Sequence, residues 1–286
     1  MIKNLKKIYC FGTSFTAGGG FEFNHLILHH VYEKYYKKTN LNLNQETFSY
    51  PGQLQNLIGS DIEVINLSKN GYGNERIYRL LFDITNDKKF KKDECLFLIE
   101  FSDIGRKEYY FNPIGDYVIN NYNENLDYFS IGHTYLHDSF DTQEIINKNT
   151  KIIKDFHKLT FNYDEKIKEI QRNNIFLITY LEFYNINYWF TNKPIFDDPI
   201  LYEKFYPSDE LGKSIFFGNK NYHSMINYFS DGLTIKDETN GEINDFHSGL
   251  VGNYNIAVSI YNKLLNENII RGNIIEFKNH LKDFYI

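Results

Sequence analysis

A serine, a histidine and a carboxylate stand in surroundings that suit nucleophilic chemistry. Ser14 follows the short apolar run Ile8 to Phe11, in the turn-forming stretch Gly12-Thr13-Ser14. Near the C-terminus, His247 comes two residues after Asp245, in a combination of turn and carboxylate that the other eight histidines lack. A serine nucleophile needs a base that removes its proton and a group that orients that base. These residues therefore predict a Ser14, His247 and Asp245 site that attacks an acyl carbonyl.

Negative charge that develops on the attacked carbonyl oxygen needs hydrogen-bond donors. A segment rich in glycine and asparagine, residues 66 to 74, follows a second apolar run and precedes a helical pattern. Backbone N–H groups at the start of a helix face outward unpaired and suit such charge. We expect donors from the backbone of Ser14 and Gly71, with Asn74 as a possible side-chain donor. The alternative is that Asn74 is an ordinary helix-capping residue.

The elements that must position these residues alternate along the chain. Short apolar runs typical of buried parallel strands are Ile8 to Phe11, Glu63 to Leu67, Glu94 to Phe101 and Ile175 to Leu181. Helical periodicity covers Ile77 to Ile84, a longer stripe from Ile152 to Ile170, and a last helix from about Leu250 to Leu265. This alternation predicts an α/β fold with a mostly parallel sheet, in which ligands bind at the carboxyl ends of the strands.

Three long segments interrupt this pattern, at about 20–50, 109–150 and 187–241, and all are rich in Asn, Tyr, Phe and Gly. Structureless loops of that length are uncommon in compact domains. We therefore expect insertions with local structure, placed where ligands bind or partners dock; decoration with no role in recognition is the alternative. No break in composition marks a second domain, so the sequence predicts one domain over residues 1–286.

The order of these blocks resembles the SGNH, or GDSL-like, hydrolase superfamily. In that family the nucleophilic serine follows strand one in a Gly-Asp-Ser block, which Gly12-Thr13-Ser14 matches except at its middle position. The second block of the family runs from an Asn at a strand end to a Gly five positions later, the spacing of Asn66 and Gly71. The resemblance implies a three-layer, flavodoxin-like fold with helices on both faces of the sheet.

The final block matches in part. The family has a Gly five positions after the catalytic His and a small residue at about ten, as do His247, Gly252 and Ala257. Its triad Asp comes three residues before the His, where this chain has Asn244, and the carboxylate here is Asp245. Either the turn is rebuilt to bring Asp245 to the ring, or His247 works in a dyad with a backbone carbonyl.

The third block departs further. The family carries Gly-x-Asn-Asp, whose Asn donates to the oxyanion, and this chain reads Glu100-Phe101-Ser102-Asp103. Ser102 or Asn74 would then supply the missing donor. If Arg106 stands at the strand edge, its planar guanidinium could bind a substrate carboxylate or pair with Glu108.

The resemblance implies a serine-dependent esterase that removes acetyl or other small acyl groups from a carbohydrate or small ester, with no metal and no organic cofactor. Tyr188, Trp189 and Phe190 in the third segment would suit stacking on a sugar ring. The alternative is a binding or structural module that keeps the fold and has lost the chemistry, such as a virion-associated or surface-associated carbohydrate-recognition protein.

Composition narrows the class of protein. A formal charge of -6 argues against binding to nucleic acid or to an anionic membrane, both of which need basic patches. No apolar run approaches the roughly 20 residues of a membrane span, and the run behind the basic N-terminus is shorter than a signal-peptide core of about 7 to 15 residues. We expect a cytoplasmic or virion-associated protein of undetermined oligomeric state. Cys10 and Cys95 each lie in an apolar run, which predicts buried free thiols.

Overall fold

The computed structural model describes residues 2, 4–18, 45–69, 72–102, 107–110, 128–131, 162–192, 222–224, 232–237, 241–248 and 250–278. Only the backbone is described in the strands between residues 107 and 131 and between residues 222 and 248, and at residues 14, 15, 45, 46, 163, 164, 167, 192, 250 and 251.

Strands in the described part of the chain are β1 (Lys7–Phe11), β2 (Glu63–Asn66), β3 (Cys95–Ile99), β4 (Lys107–Tyr110), β5 (Tyr128–Ile131), β6 (Tyr188–Asn192), β7 (Tyr222–Ser224), β8 (Gly232–Asp237) and β9 (Gly241–Ser248). Helices are α1 (Ser14–Ala17), α2 (Gln45–Phe48), α3 (Tyr50–Ile58), α4 (Asn74–Asn86), α5 (Tyr163–Phe183) and α6 (Leu250–Asn266).

Five parallel strands form the main sheet, in the order β2-β1-β3-β6-β7. This is the strand order of flavodoxin-like folds, in which ligands bind at the switch point between β1 and β3. Two antiparallel hairpins, β4 with β5 and β8 with β9, lie outside this sheet. The predicted mostly parallel α/β sheet is confirmed.

Helices cover both faces of the sheet. On one face, α3 and α6 pack against Ile8, Cys10 and Leu98. On the other face, α4 and α5 pack against Phe11 and Phe97. Successive residues of a strand point to opposite faces, so the central strands must be apolar throughout, as the fully buried β3 is. The predicted three layers are confirmed.

Two helices follow the predicted periodicity. Helix α4 buries Ile77 and Leu81, and α6 buries Ile256, Ile260 and Leu264 along one stripe. Ala257, the small residue of the final block, is also fully buried, against the face that contains Ile8. The first part of the third predicted stripe, at 152–161, lies outside the described residues.

The strand predicted at Ile175 to Leu181 is wrong, because this run is part of α5. Ile170, Leu177 and Leu181 are buried at helical spacing, whereas Phe176 is 64% exposed. A short apolar run does not by itself distinguish a strand from a helix that buries one face. The fourth strand of the sheet is β6 instead.

The segment predicted as a third insertion, 187–241, supplies two strands of the main sheet, β6 and β7, and the hairpin strand β8. Tyr188, Trp189 and Phe190 are buried in β6, and they pack in the core and not against solvent. The expectation that these rings stack on a sugar is therefore wrong. The second predicted insertion, 109–150, begins within β4 and contains β5, and residues 20–44 of the first lie outside the described residues.

Cys10 and Cys95 are buried free thiols, as predicted. Burial raises the pKa of both thiols above the ordinary value, so both stay protonated at neutral pH. Among the described residues, none of the helices is both long enough and apolar enough to cross a membrane.

Candidate active site

The turn between β1 and α1 closes around a buried carboxylate. Glu100, the residue after β3, is fully buried. Its Oε1 accepts a hydrogen bond from Thr13 Oγ1 at 2.7 Å. Its Oε2 accepts one from the backbone N–H of Thr16 at 2.9 Å and another from the Thr16 hydroxyl. Thr13 and Thr16 lie on either side of Ser14. The backbone that carries the predicted nucleophile is therefore held on both sides by hydrogen bonds to the residue after β3.

Close packing in this turn requires glycine at position 12. A Cβ at Gly12 would lie 2.8 Å from Oε2 of Glu100 and 2.7 Å from Cβ of Thr16. Both distances are shorter than the van der Waals contact distance of non-bonded heavy atoms. A side chain at position 12 would therefore displace the carboxylate. At the other end of α1, Gly18 has a φ of 79°, a left-handed conformation that ends the helix at little cost for glycine.

Hydrogen bonds continue from this turn to the last helix. The hydroxyls of Thr16 and Tyr50 are bonded at 3.4 Å, and the backbone N–H of Tyr50 donates to Asn253 Oδ1 at 2.9 Å. Tyr50 begins α3, and Asn253 lies in the first turn of α6. Burial raises the pKa of Tyr50 well above its ordinary value, so its hydroxyl keeps its proton. The turn between β1 and α1 that carries Ser14, called the serine turn below, is thus linked by hydrogen bonds to α6, the helix that follows the histidine block.

His247 and Asp245 lie on strand β9, where the sequence predicted a turn. Their strand pairs with β8, with Thr234 opposite Asn244 and Gly232 opposite Ser248. Between these pairs, one residue of β8 faces the three residues Asp245, Phe246 and His247. Bulges of this kind bend a strand and redirect its side chains, and they are common beside active sites. Pairing with β8 therefore gives residues 244–248 a bulged strand conformation in place of the predicted turn.

Helix α1 and strand β9 contact each other, with Cα atoms of the two elements within 8 Å. Ser14 is the first residue of α1, and β9 carries His247 and Asp245. The structure thus brings the elements of the predicted serine and histidine together beside the carboxyl end of β1. The side chains of these three residues lie outside the described part of the chain, so the hydrogen bonds among them stay a prediction.

Two of the predicted oxyanion donors, Asn74 and Ser102, are bonded to each other and buried. Asn74 Oδ1 accepts a hydrogen bond from the backbone N–H of Ser102 at 2.6 Å, and Asn74 Nδ2 donates to the Ser102 carbonyl at 3.3 Å. The Ser102 hydroxyl donates to the Tyr72 carbonyl at 2.9 Å. Ser102 would have to give up this bond to donate to an oxyanion, whereas the amide of Asn74 carries a second hydrogen.

Asn66 also contributes to the serine turn. Its Nδ2 donates to the Thr16 carbonyl at 3.5 Å, and its Oδ1 accepts from the Ser68 backbone N–H at 3.1 Å and from the Ser68 hydroxyl. Sequence reasoning used Asn66 only for its spacing to a glycine, and it assigned no role to Glu100, the first residue of the third block. The sequence does contain a signal for Glu100, because this carboxylate directly follows the wholly apolar run of residues 95–99.

Gly71 and Arg106 lie outside the described residues, so their predicted roles stay predictions. Within the part of the chain that the structure describes, no group of three His, Cys, Asp or Glu residues is arranged to hold a metal ion.

No protein-family model matches the chain, and no curated protein matches it in sequence. Four chains of solved structures match it. One is the psychrotrophic esterase EstA from Pseudoalteromonas sp., in a crystal structure inhibited by monoethylphosphonate. That match has 13% sequence identity and a TM-score of 0.46, and it covers 93% of this chain and 100% of the esterase chain. Similarity at this level says nothing about substrate or site residues.

Proposed function

We propose that this protein is a serine-dependent ester hydrolase. The observation that carries the proposal is the contact between α1, which begins at Ser14, and β9, which carries His247. That contact lies beside β1 in a sheet of flavodoxin-like order, where open α/β sheets bind their ligands. The hydrogen-bonded turn on both sides of Ser14 supports the same conclusion, because a nucleophile must be held in a fixed geometry.

In the proposed reaction, His247 accepts the proton of the Ser14 hydroxyl as its oxygen attacks the acyl carbonyl. Asp245 orients the imidazole and stabilises its charged form. Backbone N–H groups of Ser14 and Gly71 and the side chain of Asn74 donate to the oxyanion. The imidazolium then protonates the leaving alcohol. A water molecule, deprotonated by His247, releases the acyl group as a carboxylic acid and restores the Ser14 hydroxyl.

We propose acetyl or another small acyl group as the part removed, from a carbohydrate or a small ester. Because the rings of β6 are buried, any contact with a sugar must come from other residues. Arg106 is our candidate for binding a carboxylate on the substrate.

Replacement of the nucleophile tests the proposal. In Ser14→Ala, hydrolysis of p-nitrophenyl acetate should fall by about a thousandfold or more, because the attacking oxygen is gone. A fluorophosphonate probe should label the wild-type chain and not this variant. Ser60→Ala, in an exposed turn, is the matched control and should keep both activities. Turnover by Ser14→Ala at the wild-type rate would remove Ser14 from the mechanism.

A second candidate function is a binding or structural module that has lost the chemistry, including carbohydrate recognition at a virion or cell surface. The engaged hydroxyl of Ser102, at the position where the resemblance expects an Asn donor, favours it. A wild-type chain that is folded, hydrolyses no acetyl ester and takes up no fluorophosphonate would support the module.

A further inference from the structure

We infer that Glu100 is a positioning residue, whose carboxylate fixes the Ser14 turn in the geometry that hydrolysis needs. This inference rests on the proposed function. It concerns a residue that acts through Thr13 and Thr16 and that does not touch the substrate itself.

The first support is the free-energy cost of burying the carboxylate of Glu100. Carboxylates are among the groups least often fully buried, because burial removes their hydration. Glu100 is fully buried, and its described side-chain hydrogen bonds come from Thr13 and Thr16. A plain turn would be satisfied by backbone and hydroxyl partners alone, without a carboxylate taken out of water.

The second support is the pattern of these bonds. One oxygen of Glu100 binds the residue before Ser14, and the other oxygen binds the residue two positions after it. The two bonds thereby constrain the backbone of Ser14 from both directions. Gly12 lets the carboxylate approach, because a Cβ there would occupy the space within 2.8 Å of Oε2. Glu100 therefore fits this turn in two ways. Thr13 and Thr16 supply its hydrogen bonds, and Gly12 leaves room for its carboxylate.

The third support is the connection to the histidine block. Thr16 bonds to Tyr50, and Tyr50 bonds to Asn253 in the first turn of α6, which directly follows β9. A shift of Glu100 would therefore change the serine turn relative to the segment that carries His247. A misplacement of reacting groups by about 1 Å can lower the rate about a hundredfold.

The experiment compares Glu100→Ala with Glu100→Gln. In Glu100→Gln, the amide oxygen can accept both bonds from Thr16, and the NH2 group can donate to the Thr13 hydroxyl, so the turn is kept. We expect Glu100→Ala to lower kcat for p-nitrophenyl acetate about a hundredfold with KM changed less than about threefold. Glu100→Gln should recover kcat to within about tenfold of wild type. The rate of fluorophosphonate labelling should follow kcat in both variants.

A second pair of variants keeps the test decisive if Glu100→Ala does not fold. Thr16→Val removes a hydroxyl that bonds to Glu100 and Tyr50. Thr85→Val is its matched control, because the Thr85 hydroxyl bonds to the Tyr180 hydroxyl at 2.8 Å on the opposite face of the sheet. Thr16→Val should lower kcat at least about tenfold relative to Thr85→Val.

The outcomes separate this inference from the proposed function. If Ser14→Ala is inactive while Glu100→Ala keeps wild-type kcat and labelling, the positioning role is wrong and the hydrolase stands. A folded Glu100→Gln with no recovery, or equal kcat in the two threonine variants, also overturns the positioning role. If the wild-type chain neither hydrolyses the ester nor takes up the probe, both proposals fall.

Discussion

The candidate site has two halves at the end of β3, which differ in their hydrogen bonding. One half is Glu100 with the turn around Ser14, and the other is Ser102 with Asn74. At Glu100, one carboxylate accepts hydrogen bonds from Thr13 and Thr16, on both sides of Ser14. At Ser102, two positions later, the hydroxyl, the N–H and the carbonyl are each bonded to Asn74 or Tyr72. The first arrangement holds a neighbour in position, and the second satisfies its own polar groups. Perturbing the two halves should therefore have different consequences for rate and for stability.

Among the variants compared below, the largest loss of stability is expected at Gly12, where a Cβ would meet the closest neighbours. Gly12→Ala should reduce the free energy of unfolding by about 3 kcal/mol, because its Cβ would overlap the carboxylate and the Thr16 side chain. It should also lower kcat about a hundredfold by displacing the turn. Urea denaturation and ester hydrolysis measure the two effects.

Gly59→Ala is the control for this change. A Cβ there meets open space, so its cost is that of the backbone conformation alone (φ 81°, ψ -160°), which is almost exclusive to glycine and costs about 1–3 kcal/mol, and kcat should not change. If Gly12→Ala behaved like Gly59→Ala, the tight packing around Glu100 would not matter for activity.

An intermediate effect is expected at Asn74, in the other half of the site. Asn74→Ala should cost about 2 kcal/mol of stability, because it leaves the buried N–H of Ser102 without its acceptor. Asn74→Asp keeps that acceptor and loses the donor. If Asn74 donates to the oxyanion, a folded Asn74→Asp should lower kcat by about a hundredfold or more.

Unchanged kcat in a folded Asn74→Asp would return Asn74 to a purely structural role. The two halves of the site would then differ in kind, with catalysis dependent on the serine turn alone.

The smallest effect is expected at the Ser102 hydroxyl. Ser102→Ala removes one hydrogen bond to the Tyr72 carbonyl and should cost about 1 kcal/mol, with kcat near the wild-type value. A drop in kcat as large as that of Asn74→Asp would instead identify Ser102 as the oxyanion donor that replaces the Asn of the third block.

The sequence was sufficient to predict the strands that are buried on both faces. Strands β1 and β3 are continuous apolar runs, since each contributes side chains to two cores. The same rule failed at Ile175 to Leu181, because a long helix that buries one face contains local runs that look identical. It also failed at β6, where aromatic residues were taken for a ligand surface and are part of the core.

The serine and histidine blocks could be located because each is a local pattern beside a strand or helix end. The partners of Glu100 could not, because Thr13 and Thr16 are 87 and 84 residues away in the sequence. Their meeting depends on how β1 and β3 pair, which no local pattern encodes. The bulge in β9 has the same origin, since it depends on the pairing with β8.

The alignment of β1 with β3 has a consequence for how the proposed active site forms. Phe11 is paired with Ile99, and Glu100 is the residue that follows β3. A slip of one residue between these strands would turn the carboxylate to the opposite side of the sheet and offer Thr13 and Thr16 an apolar neighbour. A refolding chain should therefore become able to turn over substrate only after these two central strands have found their partners, however early its helices form.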